Sequence, residues 1–503
     1  MTESPFAQFR NRQAIPLAAV PRTSAEQLAD VVEGAEAGGW RLLTMFGFPE
    51  GDDRLCILAV LADDSRGRLG AASAVVGQRY PSIARRCAHA ALFEREIAEQ
   101  CGAVPEGHPS LRPLRRHEPD HAPRAWPLEP VDRSVHAWSH MGGDEVHEVA
   151  VGPVHAGIIE PGHFRFQAHG EEVLSLDIVL GYQHRGVECL LERADRTQAM
   201  FVAESVAGDS VIAHASAYCG ALEALSRSRK SARAQSIRGI ALELERLANH
   251  IGDLGALAGD VAYQPAAAFL GRMRGESLNL LMTLSGNRYG RGLVRPGGVE
   301  FDVPPDMAAE CIRRVERLRE EVQVAADLLF GALSVQSRFE GVGVVSGADC
   351  RAQGFVGIVA RSSEVARDVR HDHPYGVYRF AQIPVATAWA GDVAARALVR
   401  WLEVQRSLTF VLEQLSSLPR GAIRAPCGDS QPGELAVALE EGWRGEVVHA
   451  LITDADGRIR RHKVQDPSLL NWPALALAMP GNQISDFPLC NKSFNLSYAA
   501  HDL

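Results

Sequence analysis

Ile240, Leu244, Leu247, Ile251 and Leu254 place apolar residues at intervals of 4, 3, 4 and 3. That spacing makes one stripe along a helix and no regular face of a strand. Glu243, Arg246 and His250 recur on another face of the same helix. An apolar stripe has to be buried against partner elements, so the segment commits its surroundings to a helix bundle. A second periodic stretch, near Ala309 to Ser334, sets Glu310 four residues from Arg314 and Arg317 four from Glu321. A third begins after Gly391-Asp392 and brings Arg396, Arg400 and Glu403 to one side. The charged faces have two readings. They form either a charged axis through the protein, or ion pairs and subunit contacts worth a few tenths of a kcal/mol each when exposed.

At 503 residues the chain exceeds what one hydrophobic core fills, so more than one domain is expected. The fold class read from the pattern is α+β. Residues 23 to 37 have helical spacing, and Trp40–Phe46 and Leu55–Leu61 read as apolar strands. A helix from about Ser82 to Gln100 follows, with Gly102 as its C-terminal cap. These elements make a small N-terminal α/β module over residues 1–117. Residues 118–148, rich in Pro, His, Asp and Glu without steady periodicity, read as an extended linker. Residues 149–503 open with strand, turn and strand, then become mainly helical, giving a helix bundle with a small β element at its entrance.

A formal charge of -10 with no basic stripe argues against a nucleic-acid partner. No uninterrupted apolar stretch reaches the ~18 residues of a membrane span, and Met1-Thr2-Glu3-Ser4-Pro5 does not open a secretion signal. Membrane association is therefore expected to come through partners. The nine cysteines, at 56, 87, 101, 189, 219, 311, 350, 427 and 490, form no local metal knuckle. They read as small buried residues of a reducing compartment, although distant ones could meet in space. Gly341-Val342-Gly343-Val344-Val345-Ser346-Gly347 lacks the Gly-x-Gly-x-x-Gly order and reads as a turn, so no nicotinamide or flavin site is expected.

Several separated blocks carry a family resemblance. Gly152-Pro153-Val154-His155 through Glu160-Pro161-Gly162-His163-Phe164-Arg165-Phe166, and Gly181-Tyr182-Gln183-His184-Arg185-Gly186-Val187-Glu188, resemble the opening of hydrogenase-4 and formate hydrogenlyase large subunits. In looser form they resemble the 49-kDa subunit of respiratory complex I. Asp486-Phe487-Pro488-Leu489-Cys490 through Tyr498 resembles a branch of hydrogenase-4-like proteins without the terminal cysteine pair. Phe93-Glu94-Arg95-Glu96-Ile97 and Glu106-Gly107-His108-Pro109-Ser110-Leu111-Arg112 resemble the end of the 30-kDa complex I subunit. The order matches a fused 30-kDa and 49-kDa polypeptide.

The resemblance implies an oxidoreductase subunit of a membrane-associated complex at the cytoplasmic face of the inner membrane. It implies partners as well: an iron-sulfur small subunit of the complex I 20-kDa type, and membrane ion-translocating subunits. NADH enters only through association with complex I. A nickel-iron centre needs four thiolates, but Ala207 and Ser210 stand at the first pair of ligand positions and only Cys490 is available at the second. No cofactor is therefore expected on this chain, an iron-sulfur cluster is expected on the small subunit, and a quinone is a possible acceptor. His155 stands where the family offers a histidine to the quinone headgroup, while the position of its tyrosine is Val206; Tyr182 and Tyr218 lie nearby in sequence. Glu160 matches a proton-passing glutamate, the alternative being a structural pair with Arg165 or Arg185. Asp209 is either an ionised site residue or a helix cap together with Ser210. His214 is either a site residue or a satisfied core histidine. His155, Glu160, Asp209 and His214 are the candidate catalytic residues. A second functional class, a non-catalytic scaffold, is favoured by Val206 and Ala207.

Overall fold

The computed structural model describes residues 5–51, 54–115, 138, 140–143, 145–155 and 159–503. Strands Arg41–Pro49, Leu55–Asp63 and Arg68–Val76 form an antiparallel meander, with Ala7–Phe9 and Arg22–Thr23 both pairing on Arg68–Val76. Met45, Ile57, Ala59 and Ala72 face the helices Ala25–Ala37 and Ala90–Cys101. Leu43, Phe46, Leu58 and Val60 face the rest of the protein. Both faces are thus covered, which is why these strands read as continuous apolar runs. Ser24 caps the first helix in a capping box with Gln27. The second begins at Ala90, later than its sequence suggests. A 3-10 turn at Ile83–Arg85 precedes it, held where the Glu94 carboxylate accepts from Ser82 Oγ and the Ile83 and Ala84 amides. Gly102 ends it in the left-handed conformation. Most of the expected linker lies outside the described residues, and its end is already strand: Val146–Val151 pairs with His163–His169, which pairs with Glu172–Val179.

The helical body contains Ala232–Asp260, Gln264–Ser285, Pro305–Gly331 and Val393–Ser416. Asp392 caps the last, accepting from Ala395 N at 2.7 Å. Ile240, Leu244, Leu247, Ile251 and Leu254 are all buried, as their stripe requires. The expected pairs on the Pro305–Gly331 helix are exchanged for others. Glu310 pairs with Arg313 at 2.5 Å, Arg314 reaches Glu276 at 3.6 Å, and Glu321 receives Arg272 at 2.6 Å. The first pair stays within the helix, while the other two join it to helix Gln264–Ser285.

A second sheet has the order Ile459–Gln465, Glu446–Thr453, Glu434–Glu441 and Ala14–Pro16. Helix Val211–Leu225, buried along its whole length, packs on it. A strand of the N-terminal module therefore closes a sheet built by the last third of the chain. Arg12 pairs there with Glu440, 428 positions away, and lies over the Tyr375 ring.

Candidate functional site

Asp209 sits just before helix Val211–Leu225 and is held by Arg444, which lies between two strands of the second sheet. The pair is bidentate, with Nη1 to Oδ1 at 2.6 Å and Nη2 to Oδ2 at 2.8 Å. Arg444 is buried, donates from Nε to Asn495 O at 2.6 Å, and stacks on Trp443 at 3.9 Å. Trp443 Nε1 and Asn249 Nδ2 both donate to Asp209 O. Neither Asp209 nor Ser210 caps the helix, contrary to expectation. The carboxylate of Glu245 does so from below, accepting from Ile212 N at 2.7 Å and Ala213 N at 3.3 Å. Burial pushes the Glu245 carboxyl up to about 8 against the restraint of those two amides, and the nearby charge of Asp209 adds to the rise.

Glu160 joins this group from the connection before His163–His169. Its pairing with Arg165 does not form, since Arg165 is taken by Glu148. Arg185 donates instead to the carbonyls of Ser205, Val206 and Ala499. Partial burial holds the Glu160 carboxyl above the usual range; the Asp209 charge raises it further, while Arg444 and the amides of Tyr498 and Ala499 lower it. Burial and the Glu160 charge raise the Tyr498 phenol in turn. His155 lies on the far side of an aromatic layer, its Nε2 2.9 Å from Gly162 O and its ring 6.1 Å from Phe164. Phe164 contacts Tyr498, and Tyr498 contacts Trp472. Glu160 and the part-exposed Asp209 are therefore within electrostatic reach of each other and of Arg444 at a partly solvated edge, the mouth. Tyr498 is within reach of Glu160 while touching Phe164, the ring beside His155.

His214 is one helical turn from Ser210 and fully buried. Its Nε2 is 3.1 Å from Asp466 Oδ2 and its Nδ1 3.1 Å from His449 Nε2; His449 Nδ1 is 2.9 Å from His462 Nε2. Burial, with the neighbouring rings, holds His449 well below the usual histidine range, and burial takes His462 down to about 3. A neutral His449 suits this file, one ring nitrogen donating and the other accepting between His214 and His462. Tyr218 stacks on His462 at 5.4 Å, and Tyr182 is 42% exposed. Tyr498 is thus the phenol placed beside Glu160.

Behind the mouth, the charged helix faces are buried rather than solvated. Arg246 donates to Glu243, to Glu403 and to the Glu441 and Gly442 carbonyls. His250 meets Glu403 at 2.8 Å, and Arg361 joins Glu403 to Glu441 at 2.8 and 2.7 Å. Arg370 binds Glu243 and Asp368, and the hydroxyls of Tyr378 and Ser407 also donate to Glu243. Three guanidiniums, Arg246, Arg361 and Arg370, face four carboxylates, Glu243, Glu403, Glu441 and Asp368. They leave one carboxylate uncompensated. Burial, aided by Asp368, pushes the Glu441 carboxyl up to about 7, while burial lowers His250 despite its bond to Glu403. The faces were legible as spacing; their burial was not. Arg396 and Arg400 form a neighbouring group with Ser493 and Asp253.

The side chains at the family's nickel-iron ligand positions do not make a four-thiolate donor set. Ala207 has no donor atom, the Ser210 hydroxyl lies 3.5 Å from Arg444 Nη1, and three residues after Cys490 there is no second thiol but Ser493, whose Oγ accepts from Arg396. Burial pushes the Cys490 thiol up to about 11, so it opposes ionisation. The Arg444 guanidinium also puts a permanent positive charge where the first ligand pair would stand.

Comparison with known proteins supports the redox-complex assignment. The family described as respiratory-chain NADH dehydrogenase, 49 Kd subunit, matches residues 260–429. Formate hydrogenlyase subunit 5 of Escherichia coli is 31% identical over 438 residues, 84% of this chain and 77% of that protein. The carbon monoxide-induced hydrogenase of Rhodospirillum rubrum is 34% identical over 348 residues, 69% of this chain and 96% of that protein. A chain of the membrane-bound sulfane sulfur reductase, an archaeal respiratory membrane complex, has the same fold, with a TM-score of 0.67 at 23% identity over 72% of this chain and 100% of that one. The class is therefore the large subunits of membrane-bound oxidoreductase complexes. Within it, the chain belongs to the formate hydrogenlyase and hydrogenase-4 large-subunit family, related to the 49-kDa subunit of complex I. Among the described residues, no helix is long and apolar enough to cross a membrane.

Proposed function

We propose that this chain works at the cytoplasmic face of the inner membrane as the large subunit of a hydrogenase-4-like or NADH-quinone oxidoreductase-like complex, without a nickel-iron centre of its own. Electrons reach it from an iron-sulfur cluster on a 20-kDa-like small subunit, and an acceptor such as a quinone lies near His155, Glu160 and Tyr498. Proton movement then couples that site to ion-translocating subunits. The observation that carries this reading is the continuity of ionisable groups from Glu160, through Asp209 with Arg444 and Glu245, to the buried network at Arg246. The uncompensated carboxylate of that network gives it a place to hold or release one proton near neutral pH. An apolar groove lined by Leu329, Phe330, Phe339, Leu398 and the 78%-exposed Trp389 supports docking of an apolar element from a membrane subunit.

The test isolates the chain with its native partners and measures nickel and iron per chain together with quinone reduction. Iron without nickel, with quinone-dependent turnover, is expected. Stoichiometric nickel would overturn the metal-free reading. Packing at Val206 and Ala207, both 1% exposed or less, favours the scaffold as a second reading. An intact complex whose turnover is untouched by Tyr498→Phe and Glu160→Gln would establish it.

A further inference from the structure

Away from the mouth, where the N-terminal module meets the helical body, three potential ligands converge. Glu36 comes from the last turn of helix Ala25–Ala37, and Cys87 and His89 from the turn that leads into helix Ala90–Cys101. Their donor atoms lie within 4.8 Å of one another. Cys87 Sγ donates to Glu36 Oε1 at 3.0 Å, and His89 Nδ1 is 3.7 Å from the same oxygen. With bonds of about 2.0 to 2.3 Å, the donors of a tetrahedral site stand roughly 3.3 to 3.8 Å apart; the histidine–carboxylate separation already matches, and the thiol has to move by roughly half an ångström to an ångström.

The histidine is set for coordination. Its side chain is only 9% exposed, and Nδ1 is buried with no hydrogen-bond partner. Nε2 lies 3.0 Å from Arg351 O, a group that can only accept, so Nε2 carries the proton and Nδ1 keeps its lone pair free. Gly354, at φ +72°, fixes the ring: a Cβ there would stand 2.7 to 2.9 Å from Nε2, Cε1 and Cδ2. Burial lowers His89 to about 4, so the ring is neutral across the physiological range. The cations whose charge acts on the ring, Arg367 and Arg41, are both engaged by Asp64, at 3.0 and 2.9 Å, and Arg86 beside Cys87 is held by Asp30 and Glu33.

We propose that Glu36, Cys87 and His89 bind one divalent transition-metal ion of the zinc class. One sulfur, one nitrogen and one oxygen suit a borderline-soft ion, and solvent supplies the remaining position. Without an ion, burial and the neighbouring Glu36 carboxylate push the Cys87 thiol well above its ordinary value; the S–H bond therefore breaks only as the sulfur–metal bond forms, and its proton leaves to solvent. Thiolate and carboxylate then neutralise the dication, and no electrons are exchanged. The ion would tie helix Ala25–Ala37 to the turn at Cys87–His89 within the N-terminal module and hold the ring whose Nε2 donates to Arg351 O of the body.

The test titrates metal-stripped full-length protein with Co²⁺ alone, reading thiolate-to-cobalt charge-transfer absorption, and then displaces the cobalt with Zn²⁺. One equivalent with that absorption is expected. Cys87→Ser should abolish the band, His89→Gln and Glu36→Gln should each weaken binding at least tenfold, and Cys311→Ala should keep it. Cobalt bound without the charge-transfer band, or a band that survives Cys87→Ser, overturns the site. Should Cys87→Ser fail to fold, Glu36→Gln on the half-exposed rim decides: unchanged affinity there overturns the proposed ligand set.

Discussion

The mouth and the bundle network use the same residue types under opposite solvation. At the mouth a single guanidinium, Arg444, serves Asp209 and faces Glu160, and the Asp209 side chain keeps 34% of its surface in solvent. In the network, every member of the three-guanidinium, four-carboxylate set is 3% exposed or less. Water can stand in for a partner lost at the mouth. It cannot do so in the bundle, where the only mobile counter-charge is a proton. Identical side chains are therefore screened by solvent in one place and dependent on their protein partners in the other.

The strongest way to break this contrast is Arg361→Met, which strips Glu403 and Glu441 of their shared cation. A loss of about 3–5 kcal/mol is expected, read by chemical denaturation. A loss no larger than a surface pair gives would mean that water enters the bundle. Glu245→Gln comes next and tests where the mouth stops being wet. A carboxyl raised to about 8 in the folded state binds its proton more tightly than in the unfolded chain. Stability is therefore full below the unfolded value and falls as pH rises toward about 8. The substitution should remove a slope worth on the order of a few kcal/mol, leaving the part that ends near 7 to Glu441. An unchanged stability–pH profile would place Glu245 in water. Arg444→Gln should cost about 1–2 kcal/mol, less than Arg361→Met because solvent reaches Asp209. Glu160→Gln should change stability by no more than ~0.5 kcal/mol, so a larger melting shift would move Glu160 from the mouth to the interior.

The helix at Ile240–Leu254 was legible because one face is apolar and the period is unambiguous. The sheet Glu434–Gln465 was not. Every residue of Glu434–Glu441 and Glu446–Thr453 is buried, so no alternation marks them as strands. Family likeness pointed to Glu160 and Asp209, but their partner Arg444 lies 235 positions from Asp209. Glu245 carried no signal of its own: beside Glu243 and Arg246 it looks like one more charge on a solvated helix, and only the fold sets it under a helix N-terminus. Nothing in the sequence around Tyr498 marks its place, because the aromatic layer that contains it is assembled from Phe164 and Trp472.

Strand Ala14–Pro16 bears on how the protein is made. The ribosome delivers this strand early and its neighbour Glu434–Glu441 only after some four hundred further residues, a long-range pairing of the kind that slows folding. Throughout that interval the future sheet edge, with Arg12 and its eventual partner Glu440, has nothing to close against. A nick in the polypeptide between residues 115 and 138 would consequently release no N-terminal fragment from the mature protein, whereas the same nick during synthesis would forfeit the edge strand.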